Sequence, residues 1–542
     1  MKMNKWAHGS VTLAVALGVL LSGCSSESAN NSSDSGGQTD TKQPPKASSN
    51  MSATGLPIVK DKVTLKIAGL YGIAGQKPFG ELPFFKSLEE KTNVHVDWQM
   101  NDANGFKEKK NLMFASGDLP DAFYGHYILD NDEVVKYGYQ GLFIPLEELI
   151  NKYAPNLKKI LDANPGYKKD MTAPNGHIYS LPTIDGTYPT SKDMLFVNKK
   201  WLDQLKLPIP TTPDEFYKTL KAFKDNDMNG NGKKDEVPFS YRVHAIQGIY
   251  SLYGSFGLLD KQDHIIMKGD QVVYTAVQPE YKEATKFFHK LFAEGLVDPE
   301  SLTHDEKVYG SKLRSKDSNV GSYVAWTAST YMDPDQAANF VPVMPLKGPD
   351  GKQIWNSYSA GILSKGAFAI TSNNKNPEIT MRWIDYMYDP RVSLEAVNGT
   401  IGTVIKDNGD GTLTTIDPPS GVNANEFRHT VSPGSTSVFA KTNDSPKVVG
   451  KPYEKGDMDK LLQPYLDKNI FPNLYFSEEE TEARSRYFTD IDAYVKKMQA
   501  KWLVQGGIDE EWDSYVKKLK EMNLDKLVKV YQDAYNRYNA IK

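Results

Sequence analysis

Val63-Thr64-Leu65-Lys66-Ile67 alternates apolar and polar residues, as a half-buried strand does. The stretch from Glu81 to Lys91 carries Phe85 and Leu88 on one helical face, and Val94-His95-Val96-Asp97-Trp98 alternates again. Parallel strands need a crossover between them, so strand, helix and strand in this order predict a parallel sheet and an α/β fold.

Helix signals recur further on. Thr212-Pro213-Asp214-Glu215 is a capping box with proline at the first helical position, and Phe216, Leu220 and Phe223 follow on one face. A helix over 378–388 is expected to bury Ile379, Trp383 and Met387. Near the C-terminus Ile491, Tyr494, Val495, Met498 and Trp502 keep helical spacing up to Gly506-Gly507. Trp512, Tyr515, Val516 and Leu519 continue the pattern, then Leu524, Leu527, Val528, Tyr531, Tyr535 and Tyr538. These aromatic stripes, with Trp98, Trp201 and Trp383, are expected in the core.

The first residues form an address. Lys2 and Lys5 precede an apolar run from Val11 to Leu21 that is short for a bilayer span. The run meets Leu21-Ser22-Gly23-Cys24, which resembles a bacterial lipobox; the resemblance implies cleavage before Cys24 and lipid on its sulfur. Cys24 is the only cysteine, so an internal disulfide is excluded and lipidation gives the thiol a use. Residues 25–55 contain no Val, Ile, Leu, Phe, Tyr or Trp and cannot bury enough apolar area to fold. The expectation is a signal peptide over 1–23 and a tether over 24–56, spanning roughly 30 Å root-mean-square. No later run is apolar and long enough for a second membrane segment.

The net charge is −4, more negative once Lys2 and Lys5 are removed, which argues against nucleic acid as a partner. Aromatic residues make up 11% of the chain, with 30 tyrosines, a supply that suits stacking on ligands.

Asp225 to Glu236, DNDMNGNGKKDE, is rich in side-chain oxygen. Counted from Asp225 it fits an EF-hand loop, but an EF-hand needs an exit helix. Here Val237-Pro238-Phe239-Ser240-Tyr241 follows, an extended stretch with a proline. Helix, loop, strand is the reading that remains. Counted from Asp227, oxygens fall on every second residue, a spacing that curls around a hard cation. Two Asn-Gly pairs also make ordinary turns, and Lys233 and Lys234 could solvate one.

Several stretches resemble the cleft-lining loops of extracellular solute-binding proteins of carbohydrate ABC importers. They are Phe114-Ala-Ser-Gly-Asp-Leu-Pro-Asp121, Gly176-His-Ile-Tyr-Ser-Leu-Pro182, Gly321-Ser-Tyr-Val-Ala-Trp326, Phe340-Val-Pro-Val-Met-Pro345 and Ser359-Ala-Gly-Ile362. The long helical tail and the Asp227 loop look closest to the large lipoprotein branch that includes alginate-binding and LplA-like proteins. The resemblance implies two α/β lobes, an interlobe ligand cleft and a helical C-terminal extension. Carried onto this chain, the first lobe is 57–192 with 338–372 and the second is 193–337 with 373–542. It implies a monomer held at the extracellular face of the cell membrane by lipid. That monomer takes an oligosaccharide, neutral or uronic, between its lobes and delivers it to permease subunits.

On that match, structural Ca²⁺ would be held by Asp227, Asn229, Asn231, the Lys233 carbonyl, Asp235 and Glu236. Trp326 matches a ligand-stacking tryptophan of the maltodextrin type; the other reading is a core residue behind Tyr323-Val324. Tyr124, Tyr127, Tyr179 and Tyr188 follow predicted strands, where lobe-facing loops begin. Tyr71 follows the first strand among glycines, and Trp355 and Tyr358 precede the expected crossing at Ser359. All seven are candidate cleft residues. Where related proteins have Arg-Lys-Asp-Trp, this chain has Asn198-Lys199-Lys200-Trp201, so one polar contact is in doubt.

Enzyme signatures are missing. HExxH, Gly-x-Ser-x-Gly, a P-loop and GxGxxG do not occur; Ser357-Tyr-Ser-Ala-Gly361 only approaches the second. The expectation is a binding protein. A peptide-binding or adhesin-type surface lipoprotein is the alternative, and a polysaccharide hydrolase a more distant one.

Overall fold

The structure is a computed structural model describing residues 49–541, apart from 74–75, 187–189, 243–247, 316–318, 359–360 and 450–454. Cys24, the signal segment and most of the tether lie outside the described residues. Among those described, no helix is long and apolar enough to cross a membrane.

The opening alternation forms the expected unit. Val63–Leu70 and Val94–Asn101 pair in parallel from Val63↔Val94 to Leu70↔Asn101. The Pro83–Thr92 helix crosses between them and buries Phe84, Phe85 and Leu88. Ala122–Leu129 joins on the other side of the first strand, also parallel. Gly361–Ile370 runs antiparallel to it, and Leu181–Asp185 and Ala440–Lys441 complete a six-stranded sheet.

A second sheet is smaller. Phe340–Val343, Met194–Asn198 and Ser322–Ala325 lie side by side, each antiparallel to the next. All five residues of Met194–Asn198 are buried, as a central strand covered on both faces must be.

Each sheet has its own apolar core, and the cores divide the chain otherwise than the resemblance implied. Ile379, Trp383, Met387, Val392, Val438 and Ala440 pack with Ile67, Leu157 and Ile184 in the first core, not the second. The reason is a specific dock: the Asp385 carboxylate accepts from the Asn156 and Leu157 amides at 3.2 and 2.9 Å, capping the Pro155–Ala163 helix. Conversely Phe340, Val343, Leu346 and Trp355 belong to the second core. So the first lobe takes up residues to about 440, and the second takes 340–355 together with the C-terminal helices.

Those helices, Glu478–Gln505, Ile508–Glu521 and Leu524–Ala540, bury the expected stripes, including Ile491, Val495, Trp502, Tyr515, Leu519, Leu527 and Tyr531. Gly506 and Gly507, at φ +75° and +88°, make the turn between the first two.

Thr190–Ser191 and Ser357–Tyr358 pair antiparallel where the chain passes between the cores. Asp459, on the Lys455–Leu462 helix, accepts from the Ser191 amide and hydroxyl at 2.8 and 2.7 Å, tying a further segment to the crossing.

Candidate functional site

In α/β proteins ligands bind beyond the carboxyl ends of parallel strands, where the backbone stops and loops begin. In the second sheet that edge is defined by register. Met194 pairs with Ala325. One step beyond the ladder, Asp193 stands opposite Trp326. Ser240 bridges Tyr323 in parallel, so Arg242 arrives at the same end. The crossing segment and the Lys455 helix close the base.

Trp326 is half-buried, neither core nor fully exposed. The Lys455 ammonium lies 4.3 Å from its ring centroid, a cation–π contact. Lys455 also donates to the Ser191 carbonyl and hydroxyl, each at 2.7 Å, and pairs with Asp459. Burial pulls its pKa down to about 8 against the pull of Asp459. Asp193 is 7% exposed. Burial pushes its pKa up to about 6, opposed by the positive charges of Arg242, Lys455 and Lys192. Arg242 donates from Nη1 to Glu306 at 3.2 Å, while its Nε is buried with no hydrogen-bond partner. An indole face, a carboxylate and an unspent guanidinium donor thus share one sheet edge. Such a group can hold a molecule with flat C–H faces and many hydroxyls.

The other expected residues divide. Tyr71 is half-buried directly after the first strand, its amide bonded to the Asn101 carbonyl at 3.1 Å. Tyr127 is 58% exposed and sits at φ +59°. It lines a different cavity, of about 280 Å³, with Lys192, Asn356, Ser357, Phe471 and Asn473. Successive residues of an extended chain face opposite ways, so Lys192 turns to Tyr127 while Asp193 turns toward Arg242 and Lys455. Tyr127 and Trp326 are not brought together.

Three candidates are core instead. Tyr124 is fully buried, edge-on to Trp98 and Trp383 at 5.4 and 6.1 Å. It lies inside the Ala122–Leu129 strand rather than after it, on the face that packs helices. Tyr179 is buried against Gly138, with its hydroxyl accepting from Asn175 at 2.9 Å. Trp355 is 2% exposed in the second core, where its backbone bridges Leu466. Tyr358 pairs through its backbone with Thr190; its side chain, and Tyr188 entirely, lie outside the described residues. Asn198 caps the Lys199–Leu205 helix by accepting from the Trp201 amide at 3.2 Å, so this stretch is structural.

The Asp227 loop folds as helix, loop, strand. The Pro213–Asp225 helix ends before it, and Val237 enters a bridge to Val320 after it. Gly230 and Gly232 take φ +76° and +78°, which a side chain would strain. Asp227 accepts from the Gly230 and Gly232 amides at 2.8 Å each, and the Asn229 and Asn231 carbonyls accept at 3.1 and 2.8 Å. Glu236 accepts from the Met228 amide at 2.6 Å through Oε1, while its Oε2 is buried with no partner. Among the described residues no three His, Cys, Asp or Glu side chains gather into a metal cluster. The loop's oxygens are instead mixed carboxylate, amide and carbonyl, which is calcium's chemistry, and the orphaned buried carboxylate oxygen fits such an ion.

Residues 70–393 match the model of the bacterial extracellular solute-binding protein family. The chain belongs to that family. It is a binding protein, not an enzyme. The fructooligosaccharide ABC transporter substrate-binding protein FusA of Streptococcus pneumoniae is 35% identical over 508 residues, 89% of this chain and 92% of that one. The structure of S. pneumoniae FusA in complex with kestose superposes with a TM-score of 0.76 at 32% identity, covering 88% of this chain and all of the other. A FusA EF-hand mutant in complex with fructo-nystose gives 0.75, at the same identity and coverage.

Asp193, Arg242 and Lys455 are site residues that sequence reasoning missed. Their only signal is strand register, which places Asp193 across from Trp326 and is invisible without pairing partners.

Proposed function

We propose that the chain is the lipid-anchored substrate-binding protein of an ABC importer, taking an oligosaccharide between its lobes at the extracellular face of the membrane and handing it to the permease. The observation that carries this reading is the half-open Trp326 indole at one sheet edge with Asp193 and Arg242. Rings cover sugar C–H faces, and charged side chains satisfy hydroxyls that would otherwise be buried unpaired. The relationship to FusA supports the substrate class. Calorimetric titration of the purified protein with kestose and nystose tests it. Stoichiometric binding without product is expected; no binding to either, or turnover of labelled sugar, overturns it.

Anchoring is assigned to Cys24. Cys24→Ser is expected to move the protein from the membrane fraction into the medium, and a mutant that stays with the membrane would show another anchor.

Calcium in the Asp227 loop acts structurally, fastening the end of the Pro213–Asp225 helix to the strand that begins at Val237. A ligand bound only by the folded state adds about 2.7 kcal/mol at a hundredfold excess over Kd. EDTA is therefore expected to lower the melting temperature, and Asp227→Ala with Asp235→Ala to abolish that response. Identical melts of metal-stripped protein with and without calcium would rule the site out.

A further inference from the structure

We infer that Asp193 is the carboxylate that reads the ligand's hydroxyls, and that it selects an uncharged oligosaccharide over a uronic one. The inference rests on the proposed saccharide cleft and says what that cleft prefers.

Asp193 is 7% exposed, and its carboxylate accepts no hydrogen bond from a described residue. A carboxylate withdrawn from water without donors is costly, so donors must come from something the site receives. The neighbouring cations do not supply them. Lys455 is committed to Ser191 and Asp459, and Arg242 to Glu306. Both act on Asp193 only through space. Lys192 lines the other cavity. Two vicinal sugar hydroxyls can donate to the two carboxylate oxygens, as a bidentate donor does. The unpartnered Arg242 Nε can donate to a further sugar oxygen while the ring lies on Trp326.

The charge balance sets the preference. Lys455 is matched by Asp459 and Arg242 by Glu306, at a site where Asp193 adds a further negative charge. A uronate would bring its own carboxylate beside Asp193 with no unmatched cation to receive it. Like charges at close range in a partly dry site repel strongly.

The pH profile gives a second readout. Arg242, Lys455 and Lys192 favour the ionised form of Asp193, while burial and Glu306 oppose it; the buried hydroxyls of Tyr309 and Tyr331 lie within reach of its charge. Since the carboxyl sits near pH 6, acidification protonates it and removes the acceptor. Kestose affinity is expected to fall as pH drops through that range.

The experiment is calorimetry on the full chain with kestose and with trigalacturonate. Wild type is expected to bind kestose and to reject trigalacturonate. Asp193→Asn keeps the shape and loses the charge. It should weaken kestose binding by roughly ten- to a hundredfold, the loss expected for hydrogen bonds to a charged group. It should also flatten the acid limb of the pH profile and leave the melt unchanged or raised, since a desolvated charge is gone. Asp193→Ala should show the same loss. Wild-type kestose affinity in Asp193→Asn, or a preference of wild type for trigalacturonate, overturns the inference while the saccharide cleft stands. Failure of folded wild type to bind either sugar overturns both.

Discussion

Trp326→Ala is expected to weaken oligosaccharide binding by roughly ten- to a hundredfold while leaving the melt almost where it was. Covering one sugar face of roughly 50–100 Å² contributes on the order of 1–2.5 kcal/mol at about 25 cal/mol per Å². The ring is half-buried, so its removal takes away ligand contact more than packing. Lys455 is the complication. Its ammonium lies 4.3 Å from the same ring, so a sugar must either share the indole with it or take the opposite face. Trp326→Phe, which keeps an aromatic face for both partners, should recover much of the loss. Calorimetry and a thermal melt on the same mutant separate the readings. Full affinity with a collapsed melt would make Trp326 a core residue and move the cleft elsewhere.

How far the sequence reached depended on what each signal measures. Periodicity reports burial of a local face, and it succeeded wherever a face was the question. The parallel opening pair, the Pro213 helix and the C-terminal stripes ending at Gly506-Gly507 all formed. The Asp227 loop was legible because turn glycines and alternating oxygens are local too. Lobe membership was not. Nothing in 377–385 says that Asp385 will cap a helix more than two hundred residues earlier, so the helix went to the wrong core. Site residues failed for a related reason. An aromatic after a predicted strand reads as a cleft residue only if the strand ends where expected. Ala122–Leu129 runs five residues past Tyr124, which puts that ring inside the sheet. Asp193 and Arg242 became visible only when antiparallel and bridge pairing laid them beside Trp326.

The larger expected effect falls on stability, and one strand contains both halves of the comparison. Tyr124→Ala should cost about 3–5 kcal/mol of folding free energy, the range for deleting a large buried ring. The ring is fully buried and meets Phe79, Phe85, Trp98 and Trp383 at centroid distances of 6.3, 5.9, 5.4 and 6.1 Å, mostly edge to face. Its loss leaves a cavity bounded by aromatic rings that cannot collapse into it without breaking their own edge contacts. It also strips the Val438 amide of the hydroxyl that accepts from it at 3.3 Å. Tyr124→Phe isolates that second part and should cost about 0.5–1.5 kcal/mol. Three residues along, Tyr127 is 58% exposed, and Tyr127→Ala should cost under about 1 kcal/mol, since a substitution there empties no core. Denaturant midpoints of the three mutants, with unchanged slope, measure the series. Equal small losses at both positions would mean that the aromatic cluster does not hold the first sheet to its helices, and that Tyr124 is free to serve the cleft after all.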